Sequence, residues 1–153
     1  MESKGGWSSP IRITATDGVD YFAKFPEKCA KQGPLGGMAV VVEMVAAEAG
    51  RLINAPVCET VLLRVPVELL NDTQLLDGVP VTSTVVHGSR ALSNADEKTR
   101  PKLPDRQRDE NNRRHVGVYA MWDWFVGSDP QWLQDLNADG ATYSRPRDVS
   151  SLK

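Results

Sequence analysis

Apolar and polar residues alternate along residues 11–16 and again along 19–25, with Asp17 and Gly18 between the two runs. Alternation places every second side chain on one face of a strand. A glycine at the junction accepts positive φ without a Cβ clash, so the pattern predicts a β-hairpin. Residues 26–37 hold two prolines and three glycines and predict a loop. Over residues 37–53, Met38, Val41, Val42, Val45, Ala49, Leu52 and Ile53 recur at helical spacing. They predict a helix with a wide apolar face, and because much of its other side is apolar too, a helix that is mostly buried. Asn54 and Pro56 end it. Residues 58–65 and 80–86, rich in Val, Leu and Thr, read as strands. One helical turn is expected over residues 67–71, and Asp77-Gly78 marks another turn.

The pattern changes at Gly88. From there to Arg114 charges are frequent and large apolar residues few, which predicts a linker. In residues 115–126, Val116, Tyr119, Ala120, Trp122 and Phe125 return at a spacing that suits a helix, closed by Gly127. A short helix is expected from Pro130, a residue that suits a first helical turn. From Arg145 the apolar pattern is lost and a frayed tail is expected. The expected fold class is α+β: a small curved antiparallel sheet packed on one helix over residues 1–88, a charged linker over 89–114, a short, incomplete helical region over 115–144, and a tail over 145–153.

Composition narrows the function classes without choosing one. The 153 residues are 41% hydrophobic and 25% charged, ordinary globular usage. A chain of this length can bury roughly two-thirds of its unfolded surface, enough for a core without staples. The net charge of −2 gives no bulk attraction to nucleic acid or to anionic membranes. No apolar run reaches transmembrane length and residues 1–9 carry no apolar signal core, so a cytosolic protein with no membrane span is expected. Cys29 and Cys58 are widely separated and read as two buried or idle thiols. His87 and His115 stand singly, without zinc-type spacing.

Two charged residues carry candidate chemistry. Alternation puts Lys24 on the same strand face as Phe22, with Tyr21, Ala23 and Phe25 on the other. By spacing it is either a solvent-facing lysine or a phosphate-binding lysine projecting from a nucleotide-site sheet. Glu43 lies off the valine stripe, on the side of Ala47 and Gly50. It is either an exposed helical glutamate or an ion-pair partner for Lys24. A strand lysine followed about twenty residues later by a helical glutamate is the arrangement by which protein kinases hold the α- and β-phosphates.

The stretches Asp20-Tyr21-Phe22-Ala23-Lys24-Phe25, Val42-Glu43-Met44 through Gly50-Arg51-Leu52, and Ala55-Pro56-Val57-Cys58-Glu59 resemble the N-terminal lobe of HipA-like kinases. The resemblance implies a kinase-like N-lobe in which Lys24 contacts ATP and Glu43 orients it. The glycines and serines of residues 5–9 would stand at the phosphate loop, and Ser89 near the family's Gly-Ser-Arg stretch. Residues 119–131 are similar to the segment that leads through Gly-x-x-Asp into the catalytic loop, which makes Asp129 the implied catalytic base. Five residues on, where the family has a metal-binding Asn, stands Gln134. The family's second metal-binding Asp has no counterpart, since Asp148 has neither strand nor glycine around it. Phosphoryl transfer depends on positioned metal, and one lost preorganised contact costs about 3 kcal/mol. The resemblance thus implies a cut-down pseudokinase acting as a protein-binding effector in the bacterial cytoplasm, of the kind a phage could encode against a host protein, with no cofactor expected and no metal site. Exposed rings among Tyr119, Trp122, Trp124, Phe125 and Trp132 would serve a host protein or self-association. The alternative is an active serine/threonine kinase, minimal or completed by dimerisation, using ATP and Mg²⁺.

Two further motifs read as decoys. Residues 135–140 match the first half of a calcium loop, but Pro146 falls where the bidentate Glu belongs, which leaves a polar turn. The arginines of residues 106–114 are mixed with Asp109 and Glu110 and read as a solvated loop.

Overall fold

The computed structural model describes residues 10–30, 36–71, 78–98, 111–124, 132–137 and 141–144. In chain order the elements are β1 (Ile11–Thr14), β2 (Asp20–Lys24), α1 (Pro26–Ala30), α2 (Gly36–Leu52), β3 (Thr60–Arg64), α3 (Val67–Leu70), β4 (Val85–Arg90), β5 (Ala95–Lys98), α4 (Asn111–Trp124), β6 (Trp132–Asp135) and β7 (Ala141–Ser144). They form two compact units. The first holds β1, β2, α1, the start of α2, β3, α3 and β4; the second holds the rest of α2 from Val45, residues 53–59, β5, α4, β6 and β7. The fold is mixed α+β with a four-stranded antiparallel sheet. No helix among the described residues is long and apolar enough to cross a membrane.

In the first unit the strand order is β1-β2-β4-β3. The predicted hairpin forms: Gly18 takes φ +76°, and Asp17 Oδ1 accepts the Val19 N–H at 2.8 Å, closing the turn from within. Register then sorts the side chains, because directly opposed residues share a face. Ile11 opposes Ala23, Ala23 opposes Gly88, and Leu63 opposes Val86. This face builds the core of Ala23, Phe25, Val65, Val79, Val81 and Val86, against which Ile11, Ile13, Leu63 and Leu70 pack. Gly88 is required there. A Cβ would collide with Leu63 Cδ1 and lie 2.7 Å from Leu63 Cγ. The opposite face carries Phe22, Lys24, His87, Ser89, Thr60 and Leu62 and is largely polar.

Three local expectations are corrected in this unit. Residues 26–30 form α1 rather than loop, because proline is favoured in a first helical turn; the Cys29 N–H closes on the Phe25 carbonyl at 3.1 Å. The strand expected over 80–86 begins at Val85 and runs to Arg90. Val79 and Val81 are buried in the core without pairing in the sheet, so apolarity there marks packing and not a ladder. The third concerns α2. The helix exists where expected, but Met38, Val41, Val45 and Leu52 of its apolar stripe are 55–74% exposed. Its buried positions are Val40, Glu43, Ala46, Ala47 and Gly50. The small residues admit close neighbours: a Cβ on Gly50 would lie 2.6 Å from Val57 Cγ1 and 2.9 Å from Met121 Sδ. The helix ends as predicted, with Asn54 in the left-handed region at φ +54° and the Ala55 N–H on the Gly50 carbonyl at 2.8 Å.

Glu27 fastens α1 to the approach of β4. Its Oε1 accepts the N–H of Thr82 (3.0 Å), the N–H of Ser83 (2.8 Å) and both hydroxyls (3.1 and 2.8 Å). Burial pushes this carboxyl up, but the hydrogen bonds from Thr82 and Ser83 outweigh it and hold the pKa below the ordinary 4.5. A carboxyl with a depressed folded pKa contributes stability above its unfolded pKa and loses it as pH falls through the folded value. Glu27→Ala should therefore cost about 2 kcal/mol at neutral pH by urea denaturation. The gap from wild type should close as pH falls below 4.5.

In the second unit β5, β6 and β7 form an antiparallel sheet in that order. Two expectations are corrected here. The segment after Pro130, expected to be helical, forms β6 and β7, and β5 lies within the expected linker, which therefore does not run unbroken from 89 to 114. The physical reason is period: Trp132 and Gln134 are buried while Leu133 and Asp135 are half-buried, an alternation a helix cannot use. Helix α4 starts at Asn111, four residues before the expected point. His115, Tyr119 and Trp122, on one side of it, surround Trp132 with ring centroids at 4.6, 5.7 and 4.9 Å. Gly117 admits Ala55, whose Cα would be 3.2 Å from an added Cβ. The predicted closing of this helix at Gly127 and the predicted tail lie outside the described residues.

Candidate functional site

Lys24 ends β2, and its partner across the ladder is His87 of β4. Both side chains therefore stand on the polar face of the sheet. Glu43, two turns past the start of α2, reaches the same place. Lys24 Nζ donates to Glu43 Oε1, and His87 Nδ1 lies 3.5 Å from Glu43 Oε2. Each carboxylate oxygen thus faces a different nitrogen. All three residues are almost fully buried, at 4%, 1% and 1% exposure for Lys24, Glu43 and His87. Of the alternatives left by the sequence, a solvent-facing lysine and an exposed glutamate are excluded. The structure assembles the ion pair.

This pair also accounts for the orientation of α2. A charge taken out of water costs several kcal/mol unless it is matched nearby. Turning the valine stripe to the sheet would bury Lys24 against hydrocarbon and put Glu43 in solvent. The observed orientation pairs the two charges and leaves aliphatic side chains exposed, which costs much less for each side chain.

The other sequence candidates fare differently. Asp129, the implied catalytic base, and residues 5–9, the implied phosphate loop, lie outside the described residues, as does Asp148. Gln134 sits inside β6, buried, opposite Asp96 on one side and Thr142 on the other. Ser89 is buried in β4, opposite Phe22 and Thr60. Among the described residues no group of three His, Cys, Asp or Glu is placed to hold a metal ion. Cys29 and Cys58 are buried thiols. Asn137, in the half calcium loop, donates its N–H to Asp135 Oδ1 (2.9 Å) and its amide Nδ2 to Ser93 Oγ (2.9 Å), the bonding of a polar turn. His87 is the residue that sequence reasoning passed over. The strand expected over 80–86 stops one residue short of it, and only the register of β4 against β2 sets it beside Lys24. Compared with protein-family models, with curated proteins and with solved structures, the chain finds no match.

Proposed function

We propose that the chain is a kinase-like protein of the HipA-like type that works by binding another protein rather than by transferring phosphate. The observation that carries the reading is the buried contact of Lys24 with Glu43 between a sheet strand and a helix. That is the contact a kinase N-lobe keeps to orient nucleotide phosphates. Nothing in an ordinary core requires it, since a hydrophobic pair of similar volume would be as stable or more so. The kinase-like N-lobe, the place of Lys24 and Glu43 at a nucleotide cleft, and a bacterial cytoplasmic setting with a host protein as target all belong to this proposal.

Binding is favoured over catalysis by two features. Gln134 is held in a strand ladder, with its side chain buried, where the resemblance asks for a metal-binding amide in a loop. And the outward face of α2 offers Met38, Val41, Val45 and Leu52 at helical spacing, an apolar strip of the kind that helix-mediated recognition uses. Val116 and Trp124 of α4 are exposed as well, at 68% and 65%.

Calorimetry with ATP, with and without Mg²⁺, paired with a phosphoryl-transfer assay, tests the reading. Transfer should stay at background. A host protein captured from bacterial lysate by the wild-type chain should be lost when Val41 and Val45 are both changed to Glu, with the circular dichroism spectrum kept. Measured transfer that Lys24→Met abolishes overturns the binding reading and leaves an active kinase. Failure of ATP to bind under any condition leaves that alternative without footing.

A further inference from the structure

The Lys24–Glu43 pair has a third member that the kinase-like reading does not call for. His87 opposes Lys24 across the β2–β4 ladder and opposes Leu62 across the β4–β3 ladder. Its Nδ1 is 3.5 Å from Glu43 Oε2, while Lys24 holds Glu43 Oε1. Lys24 from β2 and Glu43 from α2 are charged groups that face it, and β3 presents the aliphatic Leu62 opposite it. An imidazole changes charge near pH 6.5, inside the physiological range, and no other side chain does so from its ordinary value. Its ring is almost fully buried, so there is little water to screen the consequence.

We infer that His87 is a proton-dependent positioning residue for Glu43. With His87 neutral, Lys24 and Glu43 offset each other's charge. With His87 protonated, one carboxylate is shared between two cations on its two oxygens. The site then carries one more positive charge than with His87 neutral, and the ammonium of Lys24 is less committed to Glu43. Lowering the pH should strengthen the tie between β4 and α2. It should also turn the site from a closed pair into a centre that attracts an oxyanion of the phosphate class. The second consequence rests on the kinase-like reading proposed above; the first does not.

A double-mutant cycle between Glu43→Gln and His87→Gln, followed by urea denaturation at pH 5.5 and pH 8, tests the tie. The coupling should multiply the folding equilibrium constant at least about fivefold more at pH 5.5 than at pH 8. His87→Phe, which keeps a ring without nitrogens, repeats the cycle if the Gln variant does not fold. In parallel, the imidazole ¹⁵N signals of His87 in the wild-type chain should change their pH dependence when Glu43 becomes Gln, which a purely space-filling ring would not show. Equal coupling at the two pH values, or ¹⁵N signals indifferent to Glu43, overturns the inference. The anion arm uses sulfate, which does not itself titrate over this range, followed through backbone amide shifts of Lys24 and His87. Sulfate should bind about threefold or more tightly at pH 5.5 than at pH 8 in the wild type, with no pH difference in His87→Gln. Coupling that depends on pH, with no sulfate binding at either pH, supports the positioning role and overturns the phosphate-site reading alone. A pH difference that survives in His87→Gln overturns the proton-linked role.

Discussion

Lys24→Met should destabilise the first unit by about 3–5 kcal/mol at pH 8, because it leaves the Glu43 carboxylate buried and short of its ammonium partner. Single domains hold about 5–15 kcal/mol in total, so this one change consumes much of the margin. The cost lies in the orphaned charge and not in the lost attraction. The double variant Lys24→Met/Glu43→Leu should therefore recover most of it, ending within about 1 kcal/mol of wild type, since it replaces two matched charges with two packed apolar groups. Urea denaturation of the three chains at one pH separates these terms. The loss should also be smaller at pH 5.5 than at pH 8. A protonated His87, 3.5 Å from Glu43 Oε2, partly replaces the missing cation at the lower pH. A single-variant loss under about 0.5 kcal/mol would mean that Lys24 is solvated and that the sheet and α2 do not meet through these charges. The kinase-like reading would then lose its support.

The contrast between α2 and the hairpin shows where sequence is informative. In the hairpin, local chemistry decides: Gly18 alone tolerates the turn, and alternation over a few residues assigns both faces. In α2, local chemistry gives the helix and its Asn54 stop but assigns the wrong face. Counting apolar residues favours burying Val41 and Val45, and the helix turns instead on one glutamate whose partners are 19 and 44 residues away in sequence. Long-range charge matching outweighs a modest difference in apolar area, and no window along the chain contains that term. The pairing of Lys24 with Glu43 was legible as one of two alternatives because their spacing matched a known arrangement. His87 was not, because strand register is a property of two segments together. The same reason explains β6. Residues 132–135 are too few to declare a period by themselves, and their strand is made by β5 on one side and β7 on the other.

Trp132→Ala should be the most damaging substitution in the second unit, costing about 3–5 kcal/mol through the cavity it leaves. Trp132 is 1% exposed, and the edges of three rings meet it: His115, Trp122 and Tyr119, all presented by α4. Each such pair is worth about 0.5–1.5 kcal/mol beyond the area it buries, so the loss exceeds that of an equally buried aliphatic residue. Small residues elsewhere in the unit cannot close the gap. Ala55 already sits against Gly117, and Met121 against Gly50, at distances that leave no slack for α4 to move inward. Trp132→Phe keeps part of the ring stack and should cost less than half as much as the alanine change. The near-ultraviolet circular dichroism of the tryptophans should weaken in the alanine variant before any global unfolding, because the T-shaped contacts that hold Trp122 in one orientation are gone. Tryptophan fluorescence during urea denaturation gives the magnitude. An alanine variant within about 1 kcal/mol of wild type would show that α4 is not held on β6 by this ring.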